Sequence, residues 1–298
     1  MGRTKITTAL REGKVLVSDG AWGTLMQQHG LKAGECPELW NITHSGIIKD
    51  IAGNYIGAGA DMVETNSFGG TCFKLEYFGL SDKVTEINEA AARLSREAAG
   101  ENKWVIGSVG PTGKMLIMGD VTEDELYEAF RQQVTALEKG GADAVCIETM
   151  SDIDETVIAI RAAKENTTLE VIATFSFDAI GENEYRTMMG VSPAETATAC
   201  IEAGADIVGT NCGNGLKNMV DIVFQIKTAV PDALILIHAN AGLPRLENGV
   251  NVYPETPEQM AGLTCSAIEA GANIIGGCCG TTPIHISAIK EEVQKINI

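Results

Sequence analysis

The chain has 298 residues, of which 45% are hydrophobic, and carries a formal charge of -18 from 40 acidic and 22 basic side chains. Such a length allows one large domain or two ordinary ones with a substantial core. The acidic excess opposes nucleic acid and anionic membrane surfaces, which are held by clustered Lys and Arg, so a small molecule or another protein is the expected partner.

The opening stretch Met1-Gly2-Arg3-Thr4-Lys5-Ile6-Thr7-Thr8 has some positive charge but neither an apolar core nor a small-residue cleavage site, and does not read as a signal peptide. No run approaches the roughly 20 apolar residues of a membrane span. Eight cysteines without export features read as mostly reduced thiols of a cytoplasmic protein.

Along the chain, short apolar or β-branched runs predict strands at 15–20, 62–66, 105–110, 144–149, 171–177, 207–212, 234–240 and 273–278. Between and after them, helical periodicity covers 47–57, 83–99, 123–138, 153–163, 193–203, 216–229, 257–270 and 283–294. Strand followed by helix, eight times, predicts an α/β fold: a single (β/α)8 TIM barrel over residues 1–298. A doubly wound open sheet is the structural alternative. A weak repeat precedes every second strand: Gly57-Ala58-Gly59-Ala60-Asp61, Gly140-Gly141-Ala142-Asp143, Ala203-Gly204-Ala205-Asp206 and Ala270-Gly271-Ala272-Asn273. Its glycines suit helix ends and its small residues a tight entry into the next strand, with no function needed.

In such a barrel the active site forms where strands end, and the strand ends here are polar. They carry Asp19-Gly20-Ala21-Trp22-Gly23, Glu64-Thr65-Asn66, Glu148-Thr149, Asn211-Cys212, His238-Ala239-Asn240 and Gly276-Gly277-Cys278-Cys279-Gly280. Cys212 closes the sixth strand and Cys278-Cys279 the eighth, with Asn240 at the matching height of the seventh. Adjacent thiols in a glycine-bracketed turn favour a soft metal over a strained disulfide. Three cysteine ligands on Zn2+ leave one position open, the arrangement of a catalytic zinc. Packing cysteines are the plain alternative for a chain with this many thiols.

The segments Asp19-Gly20-Ala21-Trp22-Gly23-Thr24, Glu64-Thr65-Asn66-Ser67-Phe68-Gly69, Gly110-Pro111-Thr112-Gly113, Glu148-Thr149-Met150-Ser151-Asp152, Asn211-Cys212, Asn240-Ala241-Gly242-Leu243-Pro244 and Gly276-Gly277-Cys278-Cys279-Gly280-Thr281-Thr282-Pro283 resemble, in order, the signature segments of the homocysteine S-methyltransferase family. That family includes the homocysteine-binding module of cobalamin-dependent methionine synthase and the betaine-homocysteine methyltransferases. The resemblance implies a zinc-bearing barrel that methylates homocysteine to methionine through a zinc-bound thiolate. Residue by residue, it implies Cys212, Cys278 and Cys279 as zinc ligands and Asn240 as a displaceable fourth. It also implies Asp19 and Glu148 as acceptors of the substrate ammonium, with the peptide N–H groups around Gly20 and Ala21 holding its carboxylate. Gly69 stands where the betaine branch has a tyrosine, which favours a methionine-synthase-like enzyme whose methyl group comes from a methylated corrinoid on a separate protein. Betaine, S-methylmethionine and other one-carbon substrates are the alternative donors; a zinc-binding or thiol-redox protein without turnover is the non-enzymatic alternative.

Other residues carry plainer expectations. His238 is expected as a hydrogen-bonded histidine of the barrel top. Glu64 is expected to brace its own loop or to accept from neighbouring backbone. Most of Cys36, Cys72, Cys146, Cys200 and Cys265 read as packing residues, with Cys72, close after the Ser67-Phe68-Gly69 loop, the one set apart.

Overall fold

The computed structural model describes residues 4–247 and 250–296. Eight parallel strands form one sheet: β1 (Leu16–Val17), β2 (Met62–Glu64), β3 (Trp104–Val109), β4 (Ala144–Met150), β5 (Glu170–Phe175), β6 (Ile207–Gly215), β7 (Ile235–Asn240) and β8 (Ile274–Gly277). Their order is β1-β8-β7-β6-β5-β4-β3-β2, the strand sequence of a barrel. Between its two ends, Asp61 N–H donates to Val17 O at 2.7 Å and Val17 N–H to Asp61 Oδ2 at 3.0 Å, which nearly closes the cylinder. All eight predicted strands are present, and the open-sheet alternative is excluded.

The surrounding helices are α1 (Ser45–Gly57), α2 (Val84–Ala99), α3 (Glu123–Gly140), α4 (Ile153–Asn166), α5 (Pro193–Glu202), α6 (Leu216–Ala229), α7 (Thr264–Ala270) and α8 (Pro283–Ile296). Thr122 and Ser192 start α3 and α5 with capping boxes, each hydroxyl accepting from the N–H of a glutamate three residues on. The helix expected over 257–270 is instead two pieces, Pro257–Ala261 and Thr264–Ala270, broken at Gly262-Leu263 where glycine lowers helix propensity. Among the described residues no helix is long and apolar enough to cross a membrane.

The repeat noted in the sequence has a structural purpose that its spacing did not reveal. Each of Gly59, Gly141, Gly204 and Gly271 adopts a φ between 100° and 117°, ending a helix in a conformation that L side chains resist. The Asp or Asn that follows two residues later then clamps two strands. Asp143 N–H donates to Val105 O (2.8 Å) while its Oδ2 accepts from Val105 N (2.8 Å). Asp206 does the same to Val171, at 2.8 Å both ways, and Asn273 to Ile235, at 2.8 and 2.9 Å. A side chain thus stands in for a neighbouring strand at the start of β1, β3, β5 and β7.

Inside the barrel, residues two apart share a face. The lower layer is apolar, with Leu16, Met62, Ile106, Ala144, Ile172, Ile207, Leu236 and Ile274 in one buried cluster. A short N-terminal helix (Ile6–Arg11) plugs it with Ile6, Ala9 and Leu10. Glu170, at the start of β5, holds the plug by accepting from Ile6 N (2.6 Å), Thr7 N (3.0 Å) and Thr7 Oγ1 (2.6 Å). One residue pair higher, the inward positions turn polar.

Asp206→Ala is expected to cost about 1 to 3 kcal/mol, because it strands the Val171 N–H. Asp206→Asn, copying the fourth repeat, is expected to keep most of that stability. Chemical denaturation of the two variants checks this, and equal losses would contradict the clamp.

Candidate active site

At the carboxyl ends of the strands lies a cavity of about 300 Å³. Cys212, Cys278 and Cys279 stand on its wall, and Glu64, Glu148 and His238 line it from the barrel interior.

Local backbone geometry aims the three cysteines. β6 carries a register irregularity between Asn211 and Gly215, and within it Cys212 has φ +58° and Gly213 φ +69°. A non-glycine residue in the left-handed region is strained, and such strain collects at functional sites. After β8 the chain turns sharply. Cys278 N–H donates to Ala239 O (2.7 Å), Ala241 N–H donates to Cys279 O (3.0 Å), and Thr281 donates to Cys278 O through both its N–H (3.1 Å) and its Oγ1 (2.7 Å). Gly280 takes φ +82°, and the Tyr253 ring lies so close that a Cβ there would stand 2.2 Å from Tyr253 Cγ.

The three Sγ atoms all lie within 4.8 Å of one another, with Cys212 and Cys279 4.0 Å apart. Sulfurs bound to one tetrahedral Zn2+ at about 2.3 Å would sit roughly 3.8 Å from each other, so the cluster needs little adjustment to hold the ion. Hydrogen bonds from the Cys212 and Cys278 thiols hold Cys279 far below the usual thiol range, and Cys278 is pushed well above it by the same contacts. One shared negative charge among three sulfurs is a donor set suited to a soft cation. Asn240 supports the same fit. It is 4% exposed and its Oδ1 is buried without a hydrogen-bond partner, while its neighbours Ala239 and Ala241 bond the cysteine turn.

The acids occupy the opposite side. Glu148 accepts from Ser108 Oγ and from Asn211 Nδ2 (3.1 Å), and burial raises it to about 7. Asn211 is the hub beside Cys212: its Oδ1 accepts from Thr149 N and Thr174 Oγ1, each at 2.7 Å, and its amide also reaches Thr149 Oγ1 at 2.7 Å. Asp19 is 1% exposed and does not line the cavity. Its carboxylate accepts from Trp22 Nε1 (3.0 Å), Glu64 N (2.9 Å) and Ser18 Oγ (3.2 Å), and burial outweighs these bonds to raise it to about 6. The Ala21 N–H is engaged by Thr281 Oγ1 at 3.1 Å.

Two expectations change here. His238 is 2% exposed, yet its Nε2 has no partner, and burial lowers the ring to about 4, leaving it neutral. The histidine is therefore not the hydrogen-bonded one expected, because the inward alternation of β7 delivers it to the cavity. Glu64 does not brace its loop through its carboxylate: Oε1 is buried and unpartnered, with His238 Nδ1 3.7 Å away. Sequence reasoning gave no role to Tyr253, Thr281 or Asn211. Only Asn211 and Thr281 carried a signal, by standing in the polar strand-end segments. Cys36, Cys146 and Cys200 are buried away from the three-thiol cluster, as expected of packing residues, whereas Cys265 is exposed.

The model of the homocysteine S-methyltransferase family matches residues 16–293. Methionine synthase of Mycobacterium tuberculosis is 29% identical over 303 residues, covering 95% of this chain and 25% of that protein. Methionine synthase of Mycobacterium leprae is 30% identical over 305 residues, again 95% and 25%. The chain thus spans about a quarter of the length of these relatives. Among solved structures, the metallated form of the homocysteine methyltransferase MmuM from Escherichia coli superposes with a TM-score of 0.77 at 22% identity, covering 95% of this chain and 98% of that one. The shared feature at that identity is the barrel.

Glu148 yields a pH prediction. It stays protonated to about 7 in the fold but only to about 4.5, the ordinary glutamate value, in the unfolded chain. The unfolded state gives up this proton first, so the Glu148 contribution destabilises the fold progressively as pH rises through that window. Glu148→Gln is expected to gain stability relative to wild type as pH is raised through that window, in the absence of substrate. Denaturation curves at several pH values test it; parallel pH dependences would refute the assignment.

Proposed function

This chain belongs to the homocysteine S-methyltransferase family, and on that premise we propose that it binds homocysteine with Zn2+ at Cys212, Cys278 and Cys279 and methylates it to methionine. The observation that carries the reading is the convergence of three thiols on one wall of a cavity whose other wall is acidic. A metal-binding protein without turnover has no use for the second wall.

When bound, Zn2+ would supply the positive charge that lets the substrate thiol lose its proton near neutral pH and keeps its sulfur nucleophilic. Asn240 Oδ1 is a candidate oxygen donor to the same ion. The protein's own groups fix the rest of the substrate. Glu148 faces the cavity and Asp19 lies behind it, and together they provide the negative field for the ammonium. The substrate carboxylate is proposed to take the Gly20 and Ala21 peptides, replacing Thr281 Oγ1 at Ala21. Anchoring an amino acid at both ends places its sulfur for in-line attack on a methyl group, an orientation effect worth several kcal/mol of barrier, roughly 7 to 11 in well-aligned reactions. The S–CH3 bond forms as the donor–CH3 bond breaks, and the thiol proton leaves to solvent.

For the donor we favour a methylated corrinoid presented by a separate protein. Gly69 supports this over betaine. Its N–H donates to Glu38 Oε1 at 2.7 Å, and a Cβ at that position would stand 2.8 Å from the same oxygen. Glu38 is 5% exposed, so the tyrosine that the betaine branch carries would have to push this buried carboxylate aside.

Cys278→Ser is expected to reduce bound zinc from about one per chain to a small fraction and to abolish methyl transfer; elemental analysis and turnover measure both, and retained turnover would contradict the ligand set. Parallel assays with methylcobalamin, S-methylmethionine and betaine are expected to give methionine from methylcobalamin and none from betaine. Methionine from betaine alone would overturn the donor assignment.

A further inference from the structure

Of the acids around the cavity, Glu64 is the one whose chemistry is incomplete. Asp19 and Glu148 have neutral donors on both carboxylate oxygens: Trp22, Ser18 and the Glu64 peptide for the first, Ser108 and Asn211 for the second. The Glu64 side chain is 9% exposed, and its Oε1 is buried without a hydrogen-bond partner. The His238 Nδ1, 3.7 Å from that oxygen, lies beyond hydrogen-bond distance. A buried carboxyl with no donor is costly unless a ligand provides one.

What Glu64 faces is informative. It lines the cavity beside Glu148, whereas Asp19 does not. Among the described residues no lysine or arginine lines that cavity, so the protein offers Glu64 no cation of its own. Burial raises its proton affinity well above the ordinary carboxylate range, and the nearby Glu148 and Asp19 add to this. A group in this position gains most from a ligand bearing N–H donors and a positive charge.

We infer that Glu64 is a further direct acceptor of the substrate's ammonium group beside Glu148, with Asp19 also orienting the Glu64 peptide and Trp22. The assignment rests on the homocysteine reading above and adds a specificity-determining residue to it. Glu64 would then select amino-acid thiols over simple thiols, since an unpaired buried acid rejects a ligand without the matching donor.

The test compares L-homocysteine with 4-mercaptobutanoate, which has the thiol and carboxylate but no amino group. Binding of both to zinc-loaded wild type and Glu64→Gln is measured by calorimetry, together with the melting temperature of each protein without ligand. Wild type is expected to prefer homocysteine. Glu64→Gln is expected to lose roughly ten- to a hundredfold of that preference, as for a charged hydrogen bond, while its affinity for 4-mercaptobutanoate stays within about threefold and its melting temperature is unchanged or higher. An unchanged preference in the variant, equal weakening of both thiols, or a lowered melting temperature would each overturn the assignment. If wild type itself shows no preference for homocysteine, the homocysteine reading fails first and takes this assignment with it.

Discussion

The two-residue period of a strand, repeated in eight parallel strands at matched register, is the constraint from which the rest follows. It divides the barrel interior into layers and allows no residue to choose its height independently. Met62 and Glu64, Ile106 and Ser108, Ile172 and Thr174, and Leu236 and His238 are therefore stacked pairs, apolar below and polar above. The lower layer and the helical plug contribute the burial that stabilises the barrel. The upper layer gives up such burial for function, and it concentrates polar groups where water is scarce.

That concentration sets an electrostatic problem. Asp19, Glu64 and Glu148 share a small buried space in a chain already at -18, and three clustered thiols stand opposite. Neutral donors relieve part of the strain: Ser108 and Asn211 at Glu148, Trp22 and a peptide at Asp19. Hydrogen bonds of this kind stabilise charge without cancelling it, so the raised proton affinities of Asp19 and Glu148 persist despite them. Among the described residues no lysine or arginine of the cavity lining offsets these acids.

Much of this was legible in the sequence because it depends on local pattern. Eight apolar runs, eight helical stretches and the polar strand ends all follow from periodicity, and the Cys278-Cys279 turn is announced by its glycines. The parts that were hidden depend on contacts between distant segments. The clamp by Asp61, Asp143, Asp206 and Asn273 needs the pairing of neighbouring strands before its meaning appears. Tyr253 reaches Gly280 only because the chain after β7 returns through a hairpin, Arg245–Glu247 against Val250–Val252, whose strands of three residues each are too short for their alternation to stand out. A similar hairpin, Asp178–Gly181 against Glu184–Arg186, follows β5 and was equally unmarked. Asp19 and Glu64 differ in a way no spacing could disclose: both sit at strand ends, but only one has its donors supplied by its neighbours.

The arrangement of hard and soft donors narrows what can fill the cavity. Sulfurs come from β6 and from the turn after β8, while the cavity-lining carboxylates Glu64 and Glu148 come from β2 and β4, so the two sets face each other across the barrel mouth. A ligand that satisfied only the sulfurs would leave Glu64 and Glu148 without a cation to favour their ionised forms, and one that satisfied only the carboxylates would not use the thiol wall. An amino acid with a terminal thiol meets both demands, provided that a soft cation lies between its sulfur and the protein's. The same division of labour accounts for the strain at Cys212 and at Thr149, whose φ values are both +58°. Cys212 is turned toward the sulfur cluster, and Thr149 is held by Asn211, which also fixes Glu148. Asn211 and Cys212 are consecutive in the chain, so a single strand end couples the geometry of the thiol wall to that of the acidic one.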